Sequence, residues 1–353
     1  MASKRQANFE LLRIVAMLMI VTLHYLVKGN VAVPYEESQS MVNLTAWFLE
    51  AFCIVAVDCY VLLSGYFLVE SEWRTGRIVS LLAQILFYSV LIPVAMLMVG
   101  MISTKNLDIY DWIGFFLPVE TEHYWFATAY LFMYLFAPVL AAGVKKLEQK
   151  TLQKVIVVLL LFFSAGKTVF PVSLVTDRYG YDFGWFLCLF LVAAYLRLYG
   201  CAWLEKKKNS VFLYIGMCLG IFALWFMSSL LAGKVNAFSY YADMPYTYNH
   251  LFCLLGAVGL FMVFKNIRIK EGKAAEVIRH LSPYTFGVYL LHEHILVRYE
   301  WVKWLQTDGV KNSFLFIPHM IICVLAVYAI GTIVDFVRAY LFKRIRIGRT
   351  VRK

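Results

Sequence analysis

Long apolar runs alternate with short polar segments along the whole chain. A helix needs roughly 20 apolar residues to cross about 30 Å of hydrocarbon, and most of the runs reach that length. The pattern therefore predicts an all-α polytopic membrane protein. Ten spanning helices are predicted, at approximately 9–28, 45–69, 78–101, 123–142, 154–171, 183–200, 210–232, 248–265, 281–297 and 313–342.

Lysine and arginine are unevenly distributed between the predicted loops. The N-terminus, every second loop and the tail from Arg338 together hold 24 of the 33 basic residues, whereas the alternate loops hold seven. Because cytoplasmic loops of membrane proteins carry the excess of basic residues, this distribution predicts that both termini are cytoplasmic. Only Arg13 and Lys167 remain inside predicted spans.

The composition excludes an ordinary soluble domain, since 62% of the residues are hydrophobic and 16% are charged. The net charge of +11 is explained by topology and not by nucleic acid, because the basic residues lie in short segments between apolar runs. The seven cysteines show no CxxC spacing, so neither a disulfide framework nor a zinc site is predicted. No predicted loop has room for an attached soluble domain, and one membrane domain over residues 1–353 is expected.

Two polar residues that are costly in hydrocarbon, Arg13 and His24, lie inside the first predicted span. Eleven helical positions turn the chain by about 20° more than three full turns, so both side chains leave the same face. The rise between them is roughly 16 Å at 1.5 Å per residue. Ionisable side chains inside a span mark a functional site by default. With a cytoplasmic N-terminus, Arg13 is expected near the cytoplasmic side and His24 in the outer half.

Asp58 is a carboxylate inside the second predicted span. It must find a partner, because an unpaired ionised group in hydrocarbon costs several kcal/mol. Since this span runs antiparallel to the first, Asp58 is expected between the depths of Arg13 and His24. Two roles stay open: it could pair with the arginine, which is a structural role, or orient the His24 imidazole.

Other candidate residues lie near the ends of later spans. Arg74 and Arg77 follow span two and can present adjacent guanidinium forks to a phosphate. In span nine, His292, or Glu293 with a histidine from elsewhere, could line a cavity. A metal site from these two and His294 alone is not expected, because adjacent helical residues face different ways. The candidates for substrate contact are His123, Trp125, Tyr130, Tyr289 and His292.

The ordered set of these elements resembles the type 3 membrane acyltransferase family, which comprises bacterial integral-membrane enzymes that O-acylate surface polysaccharides and peptidoglycan. No single element is specific, but together they run in family order from residue 10 to residue 292. They are the arginine, ten residues, histidine signature at Arg13 to His24, the VDxFFxxSG-like stretch at Val57 to Gly65, the RxxR loop at Arg74 to Arg77, the LWF- and YLxxP-like elements at His123 to Phe126 and Tyr134 to Pro138, and the YGIYLxH-like segment at Tyr284 to His292.

The resemblance implies an O-acyltransferase of the bacterial cytoplasmic membrane. The extracytoplasmic domain that some family members carry is not expected in this chain. It implies that an acetyl or other short acyl group passes from cytoplasmic acetyl-CoA to a hydroxyl of a polysaccharide or lipid-linked glycan. Arg74, Arg77 and Arg13 are then expected to bind CoA, and His24 to act as general base, with Arg13 and Asp58 beside it in the catalytic set. No metal cofactor is expected. The alternative is a multispan transporter or a proton-coupled exporter of a glycan or small anion, although the chain shows no second copy of the first span near span six.

Overall fold

The computed structural model describes residues 5–171, 178–345 and 347, and within them it contains helices and turns but no strand. Sixteen α-helices are present in these residues. They are α1 (Ala7–Lys28), α2 (Met41–Cys53), α3 (Ala56–Leu68), α4 (Thr75–Met98), α5 (Ile109–Phe116), α6 (Trp125–Lys146), α7 (Gln149–Leu160), α8 (Gly166–Val169), α9 (Phe183–Leu198), α10 (Lys207–Ala232), α11 (Ala237–Asp243), α12 (Leu251–Lys265), α13 (Lys273–Leu281), α14 (Thr285–His292), α15 (Trp301–Trp304) and α16 (Phe316–Arg344).

Eight helical stretches of the described chain are long and apolar enough to cross a membrane, judged by length and composition. The all-α polytopic membrane protein predicted from the sequence is thereby confirmed. The sixth predicted span, 183–200, corresponds to the shorter apolar helix α9. The eight stretches are Ala7–Lys28, Met41–Leu68, Thr75–Met98, Trp125–Lys146, Gln149–Val169, Lys207–Ala232, Phe238–Lys265 and Phe316–Arg344.

The ninth predicted span, 281–297, does not form one helix. A 3₁₀ turn at Ser282–Tyr284 joins α13 to α14, and its proline cannot continue the α-helical hydrogen bonds. Helix α14 then ends one residue before Glu293. Beyond that end, the His294 Nδ1 accepts a hydrogen bond from the Leu296 backbone N–H at 3.1 Å, so a local turn replaces the helix. The early end leaves Glu293 at the helix terminus.

Helix α3 lies at the centre of the bundle and packs against α1, α6, α9 and α12. Its residues from Ala56 to Tyr66 are all buried, as expected of a helix that is apolar on every side. Gly65 permits the close approach of α9, because a Cβ there would lie 3.0 Å from the Ala193 Cβ and 3.1 Å from the Phe190 Cα. The centre of the bundle is therefore closely packed, and the recesses described below lie beside it.

A buried ion pair within α16 lies against α14 and is hydrogen-bonded to α4. Asp335 is 0% exposed and accepts two hydrogen bonds of 2.8 Å from Arg338, one of 2.9 Å from Gln84 and one of 3.0 Å from Tyr88. Helix α14 passes so close that a Cβ at Gly287 would lie 2.3 Å from the Asp335 Cγ. The side chains of Arg338, Gln84 and Tyr88 thus all donate hydrogen bonds to this one carboxylate.

Candidate active site

Arg13, Met17, Ile20 and His24 share one face of α1, because they follow one another at four- and three-residue spacing. Arg13 lines a cavity at the N-terminal end of the helix, and the other three residues line a separate, narrow pocket nearer its C-terminal end. The structure therefore places the two predicted residues on one face, as their spacing predicts. Each of them has its own recess.

His24 lies against the two residues at the end of α14. Its Nδ1 is 3.0 Å from the His292 Nε2 and 3.1 Å from the Glu293 Oε1. Lys28, one turn further along α1, donates a hydrogen bond to the same Glu293 oxygen. His292 and Glu293 are buried, whereas His24 is partly exposed. The Nδ1 side of the imidazole is thus fixed by neighbours, and the ring still reaches open space.

The hydrogen bonds determine which His24 nitrogen is free to act as a base. The His292 Nδ1 lies 2.6 Å from the Val288 carbonyl oxygen, so this nitrogen carries the proton and donates it. The Nε2 of neutral His292 then accepts, and the His24 Nδ1–H donates toward it and toward Glu293. This proton assignment follows from the partners of each nitrogen. It leaves the His24 Nε2 unprotonated and able to accept a proton.

The pocket beside His24 is narrow and aromatic. Its volume is about 10 Å³, which is room for about one water molecule. In the described chain the Tyr289 hydroxyl is buried without a hydrogen-bond partner, whereas the Tyr60 hydroxyl lies 2.7 Å from the Thr285 hydroxyl. The lining consists of Met17, Ile20, His24, Val57, Tyr60, Trp125, Phe126, Tyr248, Phe286 and Tyr289.

A larger and more polar cavity, of about 460 Å³, lies around Arg13. Three arginines and one carboxylate line it, and that carboxylate, of Glu10, already accepts a hydrogen bond from Ser282 and lies 3.8 Å from Arg5. The Arg13 Nε is buried and has no hydrogen-bond partner within the described residues. The cavity therefore has an excess of positive charge that suits an anion. Its lining consists of Arg5, Gln6, Phe9, Glu10, Arg13, Ser64, Phe67, Leu68, Ser71, Arg77, Tyr130 and Tyr134.

Three aromatic rings separate this cavity from the pocket. Tyr130, which lines the cavity, stacks on Phe126 with 5.9 Å between ring centroids, and its centroid lies 6.5 Å from that of Phe286. Both phenylalanines line the pocket beside His24. An extended molecule that reached from one recess to the other would displace these rings.

A family model described as an acyltransferase domain matches residues 6–336. The chain belongs to the type 3 acyltransferase family. The match includes both recesses and every residue named so far in them except Arg5. No curated protein and no solved structure matches the chain with significance. The resemblance seen in the sequence is thus confirmed, and the protein is a membrane acyltransferase.

Asp58 of the acyltransferase does not reach either of its expected partners. It is 0% exposed, its Oδ1 accepts a hydrogen bond of 3.0 Å from the Trp185 indole N–H, and its Oδ2 has no partner in the described residues. The expectation that Asp58 pairs with Arg13 or orients His24 is therefore wrong. Adjacent residues of a helix point about 100° apart around its axis. Asp58 therefore points from α3 toward α9, whereas the neighbouring Val57 faces the His24 pocket.

The expected substrate-contact residues of the acyltransferase are divided between the two recesses. Trp125 and Tyr289 line the narrow pocket, and His292 contacts the His24 ring on its Nδ1 side. Tyr130 instead lines the Arg13 cavity. These side chains come from α6 and α14, which are far from α1 in the sequence.

Two further expected residues lie outside both described linings. Arg74 is the exposed residue that precedes α4, and only Arg77 of the predicted arginine pair lines the cavity. His123 packs with its ring centroid 4.5 Å from that of His294. The predicted pair of guanidinium forks is therefore reduced to one arginine from this loop.

Lys28 is a site residue that the sequence pattern indicates only as a basic residue of a predicted outer loop. A signal for it exists, since Lys28 follows His24 by four residues and so lies one turn away on the same helix face. The sequence indicates that Glu293 could line a cavity with a histidine from elsewhere, and the histidine that Glu293 contacts in the structure is His24.

The same residues include donors that can ligate a metal. One nitrogen each of His24 and His292 and a carboxylate oxygen of Glu293 lie within 4.8 Å of one another, and such donors suit zinc. Lys28, however, donates to that carboxylate, and its positive charge opposes a second cation. The arrangement is better suited to holding and transferring a proton than to binding a metal ion.

Proposed function

We propose that this acyltransferase moves an acetyl or other short acyl group from cytoplasmic acetyl-CoA to a hydroxyl of a cell-surface or exported polysaccharide. In this proposal it acts in the bacterial cytoplasmic membrane as a single domain with both termini cytoplasmic. The observation that carries the proposal is the pair of recesses on one face of α1, with a cavity for an anion at one end and a base at the other. Coenzyme A has phosphates at one end and its thiol at the other, and it matches this order.

The donor nucleotide would bind in the Arg13 cavity. Guanidinium groups of Arg5, Arg13 and Arg77 suit phosphate oxygens, and the unpartnered Arg13 Nε would gain an acceptor there. The pantetheine arm would then extend along the face of α1 between the displaced rings of Tyr130 and Phe126. The rise from Arg13 to His24 is roughly 16 Å, which is comparable with such an extended arm.

His24 would act as the general base of the transfer. Its Nε2 takes the proton of the acceptor hydroxyl while that oxygen attacks the thioester carbonyl carbon. The carbon–sulfur bond then breaks, and the CoA thiolate receives the proton from the imidazolium, which gives an ester and free CoA. Glu293 would stabilise the transient positive charge on His24, and His292 would hold the ring in orientation.

An aromatic groove of about 390 Å³ on the predicted outer side would hold the acceptor sugar. Aromatic rings offer flat apolar faces to a sugar, and a carboxylate accepts hydrogen bonds from its hydroxyls. The Tyr181 ring centroid lies 4.5 Å from that of Trp125 and 4.7 Å from that of Tyr248, and both of these residues line the His24 pocket. The groove therefore adjoins the pocket. Its described lining is Tyr179, Tyr181, Tyr240, Asp243, Met244, Tyr246 and Thr247.

Purified protein supplied with acetyl-labelled acetyl-CoA and a bacterial surface glycan tests the proposal. Label is expected in the glycan as a base-labile ester. The transporter or exporter considered from the sequence predicts instead that vesicles containing the protein accumulate the solute without labelling it. Solute transport with no labelled glycan would therefore overturn the proposal.

Exchange of Arg77 for glutamine is expected to raise the KM for acetyl-CoA roughly tenfold or more with little change in kcat. One charge-assisted hydrogen bond to phosphate, worth about 1.5–3 kcal/mol, would be lost. Arg74→Gln is the matched control, because it removes the same charge three residues away and outside the described cavity lining. Initial rates at varied acetyl-CoA measure both constants, and equal effects of the two exchanges would contradict a phosphate contact of Arg77.

Exchange of Glu293 for glutamine is expected to lower kcat by roughly 10²-fold, since an amide cannot offset the charge that His24 gains in the reaction. Glu300→Gln is the control, because it removes the partner of Lys303 in an exposed ion pair on the next segment. The measurement is kcat at saturating acetyl-CoA and acceptor. A Glu293→Gln protein with the kcat of the wild type would show that this carboxylate does not support the base.

A further inference from the structure

Three charged side chains gather around His24 at the outer end of α1. Lys28 and Glu293 are paired with each other, and Arg298 lies close enough to act electrostatically on Lys28, Glu293 and His24. Lys28 and Arg298 are two of only seven basic residues in the predicted outer loops. Two cations against one carboxylate leave this end of the site with an excess of one positive charge when His24 is neutral.

Arg298 donates no hydrogen bond to a carboxylate among the described residues and acts on Glu293 only at a distance. Its one hydrogen bond there is donated by Nη2 to the His123 carbonyl oxygen at 3.4 Å, and its Nε is buried without any partner. An unsatisfied buried donor on a charged group costs more than the net gain of an ordinary hydrogen bond. The guanidinium therefore has donors available to a ligand.

Lys28 lies in the last turn of α1, close to His24. Its side chain is 11% exposed, and its Nζ lies 5.4 Å from the centroid of the Tyr299 ring, which is itself exposed. Lys28 is one helical turn, roughly 6 Å, from His24 along α1. A ligand whose hydroxyl lies at the His24 Nε2 and which extends past the ring toward its Nδ1 side, where Glu293 pairs with Lys28, would bring a neighbouring substituent toward these two cations.

We propose that Lys28 and Arg298 bind an anionic group of the acceptor, a carboxylate or a phosphate, while its hydroxyl lies at His24. This inference rests on the proposed function for the role of the ligand as acceptor, but the anion site itself does not. A guanidinium fork matches both anions in geometry, and Lys28 adds a second point charge. A neutral sugar would leave the excess charge uncompensated. The acceptor is thus an acidic glycan, such as one with a uronate, or a sugar that carries phosphate.

A binding experiment tests the site without acyl transfer. The midpoint of thermal unfolding of the detergent-solubilised full chain is measured against increasing glucuronate, glucose or inorganic phosphate, at an ionic strength held constant with sodium chloride. We expect glucuronate or phosphate, but not glucose, to raise the midpoint. Arg298→Gln should weaken that response about tenfold or more in ligand concentration, as expected for a lost charged hydrogen bond. A response to glucuronate alone assigns a uronate as the acidic group of the acceptor. A response to phosphate alone assigns a phosphate group instead.

Two matched variants make the test specific. Lys311→Gln removes an outer-loop cation that is paired with the exposed Asp308, and it should leave the response unchanged. Arg77→Gln should weaken a response to phosphate that comes from the Arg13 cavity, and should leave a response that comes from Lys28 and Arg298 unchanged. The proposal is overturned if neither anion exceeds the chloride control, or if Arg298→Gln responds as the wild type does. Anion binding that persists without any labelled glycan would overturn the proposed function and leave this site standing.

Discussion

Exchange of His24 for alanine is expected to reduce acyl transfer by about 10²–10⁴-fold, the range that a positioned general base contributes. The reason is local, because no other described side chain lines the pocket with a free imidazole nitrogen. Transfer of label from acetyl-CoA to the glycan measures the loss. His24→Gln is expected to be equally inactive, since glutamine can hydrogen-bond to Glu293 but cannot take up a proton at this position.

The control for His24 is His280→Ala, which removes an exposed histidine at the end of α13. It should retain the rate of the wild type. The amount of each variant in the membrane and its unfolding midpoint show whether a loss of rate comes from a loss of protein. Full acylation by a well-folded His24→Ala variant would rule out His24 as the base.

Exchange of Asp335 for alanine is expected to destabilise the fold by about 3–5 kcal/mol, as found when one partner of a buried ion pair is removed. The change would leave the Arg338 guanidinium buried and uncompensated, and would remove the acceptor of Gln84 and Tyr88 as well. The free energy of unfolding in detergent measures the effect.

Asp308→Ala is a close control for Asp335→Ala. Asp308 also pairs with a cation three residues later, Lys311, but its side chain is 71% exposed. Exposed pairs contribute about 0–1 kcal/mol, so this variant should unfold almost as the wild type does. If both variants unfolded alike, the packing of α16 would not depend on the buried pair.

Much of the membrane architecture could be predicted because it depends on composition over a local window. The apolar runs predicted the helices, and the spacing of Arg13 and His24 predicted their shared face. The exception is the span predicted at 281–297, which is interrupted by the 3₁₀ turn at Ser282–Tyr284 and ends at His292, beyond which the His294 ring accepts a backbone N–H. Apolarity alone carries no signal for such a side-chain turn.

The partners of His24 could not be predicted in the same way. Asp58 was the natural carboxylate by depth, yet a helical rotation of about 100° between adjacent residues turns it toward Trp185 and gives Val57 the place beside the pocket. Glu293 takes the position near His24 because α14 ends where it does. Depth in a membrane can be estimated from sequence, whereas rotation about the helix axis against a neighbour cannot.

The sequence by itself thus determined that the chain is an all-α membrane protein, that it resembles the type 3 acyltransferases, and that Arg13 and His24 face one way. The membrane class and the shared face follow from hydropathy and residue spacing within single helices, whereas the resemblance rests on the ordered set of motifs from residue 10 to residue 292. Only the tertiary structure decided that Arg13 faces a polar cavity with Arg77, and that His24 is held by His292 and Glu293. Contacts between residues on different helices, such as His24 and His292, arise from the packing of helices, and that packing depends on the whole set of helix faces at once.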